Sequence, residues 1–223
     1  MVILVDFLVK TARQMIPNYS PSVIIDAGSR DLCQSIEFAN EFPNAKIIAF
    51  EPTPQQYQYC LERSKQYPNI TVLPYAVSDK NGEATFYVTP SNIGASSLLE
   101  PIDVPWGVCE FDKIKVQTVR LEDVLKDMGI QKVDILLMDV QGGELAALRG
   151  YGSYINNTDF VECEASKFGY YKDHPLCPEL EKYFDENNFT HSFHLPFEGP
   201  PHKYIEGELV CINKRLLDMK ESV

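Results

Sequence analysis

With 223 residues, 44% of them hydrophobic and 23% charged, the chain has an ordinary globular composition and length enough for one sheet covered by helices on both faces, which sets aside disordered and fibrous classes. Its formal net charge of -12 repels polyanions and anionic surfaces at long range, so no nucleic-acid and no membrane partner is expected. The six cysteines are scattered without a C-x-x-C pair, and the Val2-Ile3-Leu4-Val5 run is too short for a membrane span and lacks a basic leader; both fit a reduced, cytoplasmic protein.

In chain order, Phe7, Leu8, Ala12, Met15 and Ile16 recur near helical spacing and predict a short amphipathic helix stopped by Pro17. From Val23 to Glu51 the chain reads as strand, tight turn, helix and strand. It starts with Val23-Ile24-Ile25-Asp26-Ala27-Gly28 and ends with Lys46-Ile47-Ile48-Ala49-Phe50, with Glu51 at the tip. Pro54 opens a helix that ends before Pro68, and Ile70 to Val77 predicts a third strand. Asp79-Lys80-Asn81-Gly82 is a hairpin turn signal. Ala84 to Val88 and Ile114 to Val119 are strands around a loop holding Asn92, Gly94, Ser96 and Ser97. Leu121 to Met128 is a short helix capped by Gly129.

The nearly unbroken apolar run Val133 to Met138 fits a strand buried on both faces of a parallel sheet, and it ends in Asp139-Val140-Gln141-Gly142-Gly143-Glu144. Asp159 to Glu164 predicts the next strand and Leu180 to Asn187 the next helix. His191 to Leu195 and Glu208 to Ile212 form an antiparallel pair at one edge. The expected architecture is α/β and Rossmann-like, a mostly parallel sheet with helices on both faces, an antiparallel C-terminal edge and a β-rich insertion. One domain over residues 1–223 is expected, with an N-terminal helix in 1–21, the insertion in 81–119 and an acceptor-side segment in 165–205.

A carboxylate about 20 residues past such a first turn reaches the hydroxyls of a bound ribose, and Glu51 holds that place relative to Gly28. A dinucleotide needs further glycines whose amides cradle a pyrophosphate, but Arg30, Leu32 and Cys33 stand there, and the Asp26 charge repels phosphate. S-adenosylmethionine fits better: it has ribose hydroxyls for Glu51, a cationic amino group for an acidic strand end, and no phosphate. The alternative is an ordinary crossover whose Asp26 caps a helix.

The string from Val133 through Asp139-Val140-Gln141-Gly142-Gly143-Glu144, with Leu148 and Gly150 after it, resembles the K-x-D-V-E-G-x-E...L-x-G signature of FkbM-type S-adenosylmethionine-dependent methyltransferases. Asp26-Ala27-Gly28 is similar to that family's cofactor turn and Phe50-Glu51-Pro52 to its ribose-binding acid. Tyr75-Ala76-Val77-Ser78-Asp79 with Asn81-Gly82 is similar to its adenine-side segment, and Val119-Arg120-Leu121-Glu122-Asp123 to its entry into a short helix. The likeness runs over residues 22–213. It implies a class I methyltransferase fold and S-adenosyl-L-methionine as cofactor. The implied cofactor residues are Asp26, Gly28, Ser29, Arg30, Glu51, Pro52, Ala76, Val77, Asp139 and Val140, and the implied reaction is O-methylation of a sugar or small metabolite. Two positions depart. Cys33 stands where most members carry a second turn glycine, which implies a slightly displaced helix start; Gln141 stands where they carry Glu, which removes a charge beside the reaction centre.

Ligands of open α/β sheets sit beyond the carboxyl ends of the strands, which puts Asp26, Glu51, Ala76, Asp139 and Glu164 along one rim. Asp139 is the first catalytic candidate, orienting the cofactor amine or accepting a proton, with capping of a helix near Gly142 as its structural alternative. Glu144 reads as an acid favoured in a first helical turn. Glu162 and Glu164 share one strand face. Asp139 and Glu164 lack a third ligand for a divalent ion, and no metal site is expected. Among His174, His191, His194 and His202, His174 is the candidate base. Phe168, Tyr170 and Tyr171 either wall an acceptor pocket or pack a loop. A small-molecule or carbohydrate acceptor is expected, and a homodimer is admitted. The rival readings are a cofactor-binding module without turnover and, disfavoured by the missing glycines, a nicotinamide oxidoreductase.

Overall fold

The computed structural model describes residues 4–102, 110–194 and 206–217, so parts of the insertion (103–109) and of the acceptor-side segment (195–205, with His202) lie outside the described residues, as does the His194 side chain. After α1 (Leu4–Met15), the expected crossover forms β1 (Val23–Ala27), α2 (Cys33–Glu41) and β2 (Lys46–Phe50), and α3 (Pro54–Ser64) leads to β3 (Ile70–Leu73). Pro54 sits in the first turn of α3, where its missing N–H leaves no bond unmade. The three strands pair in parallel, Val23 beside Lys46 and Ile47 beside Ile70.

The chain then leaves this sheet. β4 (Ala76–Val77), β5 (Gly82–Val88) and β6 (Asp112–Val119) make a second sheet in the order β4-β6-β5, followed by α4 (Leu121–Asp127). Two expectations change here. The Ile70–Val77 run is two strands, since Pro74 has no N–H for the ladder and Ala76–Val77 pairs with β6. Asp79–Gly82 makes no hairpin, because β4 and β5 lie on opposite edges of β6, one parallel to it and one antiparallel. The Asn81 side chain instead ties this turn to the start of α4, donating to Asp123 and accepting from the Arg120 N–H, both at 2.7 Å.

β7 (Ile135–Met138), α5 (Glu144–Tyr151), β8 (Phe160–Ser166), α6 (Cys177–Glu186), β9 (Phe189–His194) and β10 (Glu206–Asn213) complete the main sheet, whose order is β3-β2-β1-β7-β8-β10-β9. β10 is antiparallel to both its neighbours. All of β7 is buried, and each such aliphatic side chain contributes about 1.5–3 kcal/mol on burial. On one face Ile25, Leu136 and Met138 pack with Leu148, Leu180 and Phe184; on the other Ile24, Ile135 and Leu137 pack with Leu8, Ala12 and Phe38. Strand order reverses between β1 and β7, so their carboxyl ends, Ala27 opposite Met138, border a crevice. Cys60, Cys163, Cys177 and Cys211 are buried free thiols and Cys33 is an exposed one. No helix among the described residues is long and apolar enough to cross a membrane.

Candidate active site

Backbone contacts build the turn after β1. The N–H groups of Gly28 and Ser29 donate to the Phe50 carbonyl at 3.1 and 2.9 Å, and the Asp139 N–H donates to the Ala27 carbonyl at 3.0 Å. Gly28 has φ 95°, and a Cβ there would lie 1.9 Å from the Asp139 carbonyl oxygen, so only glycine lets the two loops cross this closely. The other left-handed residues of this turn are Arg30 (φ 47°) and Leu32 (φ 67°). Asp31 accepts the Cys33 N–H at 3.0 Å, and Cys33 is the ordinary first residue of α2, not the position where the turn demands glycine.

Beyond β2 the buried Glu51 accepts from the Thr53 N–H at 2.8 Å and the Thr53 hydroxyl at 2.6 Å, both on Oε1, which fixes its orientation; burial raises its pKa. Asp26 meets the first turn of α2 through Ser35. It is buried on β1 and accepts from the Ser35 hydroxyl at 2.5 Å, tying the strand to α2, and desolvation pushes its carboxyl up to about 6.

Between these loops lies a half-open cleft. Among the predicted cofactor residues, Gly28, Arg30, Glu51, Pro52, Asp139 and Val140 line it, and β4 adds Ala76 and Val77. Asp26 and Ser29 do not line it, since Asp26 is engaged by Ser35 and the Ser29 hydroxyl donates to the Phe50 carbonyl at 3.4 Å. His174 is also absent from the lining. Its Nδ1 accepts the Tyr170 N–H at 3.2 Å, its ring lies against the Gly142 turn, and burial lowers its pKa. His191 pairs with Asp185 at 3.4 Å. Phe86, Ile93, Ser96 and Leu98, from β5 and the loop after it, form the wall that the sequence reading missed; the small polar loop around Gly94 was its only local sign.

Asp139 is bridged rather than capped. Its Oδ1 accepts from Gln141 Nε2 at 2.6 Å, and the same amide donates to Glu164 Oε2 at 2.7 Å, while Gln141 Oε1 accepts from the Tyr171 hydroxyl at 3.1 Å. A neutral amide therefore sits between two carboxylates. α5 starts at Glu144, and it is Glu144 that accepts the Val140 and Gly142 N–H groups at 3.1 and 3.2 Å. The expectation of a simple dipole partner gives way to a buried carboxyl that holds the Asp139 loop and is pushed up to about 8 by burial. Burial raises the Asp139 pKa as well, against the Gln141 hydrogen bond and the Arg30 charge.

These side chains fit S-adenosylmethionine. Glu51, held by Thr53, suits ribose hydroxyls; Phe50, Tyr75, Val77, Phe86 and Leu98 offer an apolar slot for adenine; Asp139 suits either an ammonium group or a proton given up by the acceptor. Among the described residues Arg30 is the one cation in the lining, and no run of glycine amides is there to hold a phosphate.

The strand order and the antiparallel β10 are those of the class I methyltransferase fold. Residues 26–190 match the methyltransferase FkbM domain, and the chain belongs to that family. It is 28% identical over 208 residues to the 2-O-methyltransferase NoeI of Sinorhizobium fredii, spanning 87% of this chain and 80% of NoeI. It is 27% identical over 122 residues to the hexuronic acid methyltransferase AglP of Haloferax volcanii, spanning 54% of this chain and 47% of AglP. Magnesium protoporphyrin IX methyltransferase from Synechocystis PCC 6803, solved with bound SAM, shares the fold at a TM-score of 0.53 and 10% identity, over 94% of this chain and 79% of that one. The cofactor is S-adenosyl-L-methionine, and the nicotinamide reading falls away.

Proposed function

We propose that this methyltransferase acts on a hydroxyl oxygen of a sugar or small hydroxylated metabolite, with Asp139 receiving the hydroxyl proton. The observation that carries the reading is the setting of Asp139. It lines the cleft and is joined through the Gln141 amide to Glu164 of β8, which supports a role between cofactor and acceptor. Bound S-adenosylmethionine supplies a methyl group on a sulfonium centre that is already a good leaving group. The chain supplies position and a proton acceptor. Holding the acceptor oxygen in line contributes roughly 7–11 kcal/mol, against roughly 3–5 kcal/mol for a general base. Burial brings the proton affinity of Asp139 closer to the working range of such a base.

In this reading Glu51 holds the ribose, Ala76 and Val77 flank the adenine, and Arg30 offsets part of the charge of Asp139. His174 positions the Tyr170–Tyr171 segment against the Gly142 turn and is not the base. NoeI is named a 2-O-methyltransferase, which supports oxygen as the target, and AglP a hexuronic acid methyltransferase, which supports a carbohydrate. The test is transfer from S-adenosylmethionine carrying a deuterated methyl group to a panel of sugars and hydroxylated metabolites, read by mass spectrometry. Label on oxygen is expected. Label confined to nitrogen, sulfur or carbon would contradict the proposal.

A further inference from the structure

The geometry points to a second subsite beside the cofactor cleft, and we propose that it takes a positively charged group of the acceptor, a protonated amine carried by the sugar or metabolite that is methylated. The inference rests on the acceptor reading above. Glu162 and Glu164 alternate onto one face of β8, and the antiparallel register sets Glu208 of β10 opposite Glu164 and Val210 opposite Glu162, so Glu208 and then Glu206 extend the same face. No ion pair among the described residues joins any of these four to a lysine, arginine or histidine. Glu162 is only 3% exposed, and its Oε2 has no hydrogen-bond partner. Burying a carboxyl oxygen without a partner is unfavourable, and a ligand that donates to it relieves the cost.

Two further features orient the site. The Gln141 amide joins Glu164 to Asp139, which makes the cluster continuous with the cofactor cleft. Tyr170, whose ring meets Phe168 edge-on with centroids 5.3 Å apart, has its pKa raised by burial and by the charges of Glu206 and Glu164. Burial, with mutual repulsion added, pushes Glu162 up to about 8 and Glu208 to about 7, and raises Glu164 and Glu206. A metal ion is the poorer occupant, since no three candidate ligands converge among the described residues. An ammonium group has three N–H donors and needs no such convergence. The same cluster offers no cation to an acceptor that carries a carboxylate.

The test is calorimetric titration of glucosamine, glucose and glucuronic acid into the protein saturated with S-adenosylhomocysteine, so that the cofactor's own ammonium group is already placed. Glucosamine should bind about 10- to 100-fold more tightly than glucose, as charged hydrogen bonds allow, and glucuronic acid should not bind. Glu164→Gln and Glu208→Gln should each remove most of that preference, and unchanged S-adenosylhomocysteine affinity in Glu208→Gln shows that the fold is intact. Equal affinity for amine and neutral sugars, no saturable binding of any of them, or a preference that survives both substitutions would overturn the subsite. The labelled-methyl product judges the hydroxyl reading separately. Transfer to the amine nitrogen would defeat that reading and leave the cationic subsite standing; transfer to the oxygens of neutral sugars without preference would do the reverse.

Discussion

Around the cofactor half of the cleft, carboxylates are answered by the chain itself: Glu51 by two Thr53 donors, Asp26 by Ser35, and Asp31 by Arg30 and the Cys33 amide. Around the proposed acceptor half, Glu162, Glu164, Glu206 and Glu208 share one sheet face, and the Gln141 amide donates to Glu164. The difference teaches where each half gets its order. The cofactor half is preorganised by backbone turns and fixed acids, whereas the proposed acceptor half keeps a carboxyl oxygen of Glu162 without a partner, which the proposed ligand would complete.

The largest expected effect comes from removing the close approach that frames the cofactor half. Gly28→Ala places a methyl group against the Asp139 carbonyl at a left-handed position, and should cost at least about 3 kcal/mol in urea unfolding. Asp139→Asn acts at the boundary between the halves. It should lower kcat by about 10²- to 10⁴-fold while S-adenosylhomocysteine affinity changes far less, and equal losses in both would make Asp139 a cofactor ligand alone.

A pH series separates the halves by their protons. Glu144 and Glu162 are held at about 8 in the fold against 4.5 unfolded, so the folded chain binds more protons in that interval and stability falls as pH rises toward 8. His174, with its lowered pKa, opposes this only as pH falls below 6.5. The melting temperature should therefore drop between about pH 6.5 and 8, with a shallower slope in Glu162→Gln. The smallest effect is expected at Cys33→Ala. Its thiol is exposed, so stability should move by less than about 0.5 kcal/mol and cofactor affinity should be preserved.

The same division explains what was legible in the amino-acid sequence. Asp26-Ala27-Gly28, Glu51 and the Val133–Gly143 string are contiguous, and the physics that shapes them acts within a few residues, so strand, turn, acid and cleft followed from local pattern. Asp79–Gly82 looked like a hairpin because turn chemistry does not report that β6, distant in sequence, enters between its flanking strands. Glu144 read as a dipole partner because its reach back to Val140 and Gly142 depends on the left-handed Gln141 (φ 51°) and Gly142 (φ 88°). Gln141 read as a lost charge, whereas its role depends on Glu164 and Tyr171 arriving from separate segments. His174 read as a base, yet the Tyr170 amide occupies its Nδ1. The acidic face was half visible in Glu162 and Glu164, and only the β8–β10 register adds Glu208.

The central claim is that the switch-point cleft holds S-adenosylmethionine by its ribose on Glu51. It is tested most directly by calorimetric titration of S-adenosylhomocysteine into the wild-type protein and Glu51→Ala. Saturable wild-type binding that weakens by about 10- to 150-fold in the variant is predicted, the equivalent of losing roughly 1.5–3 kcal/mol of hydrogen bonding to a charged group. Wild-type affinity retained in Glu51→Ala would contradict the account.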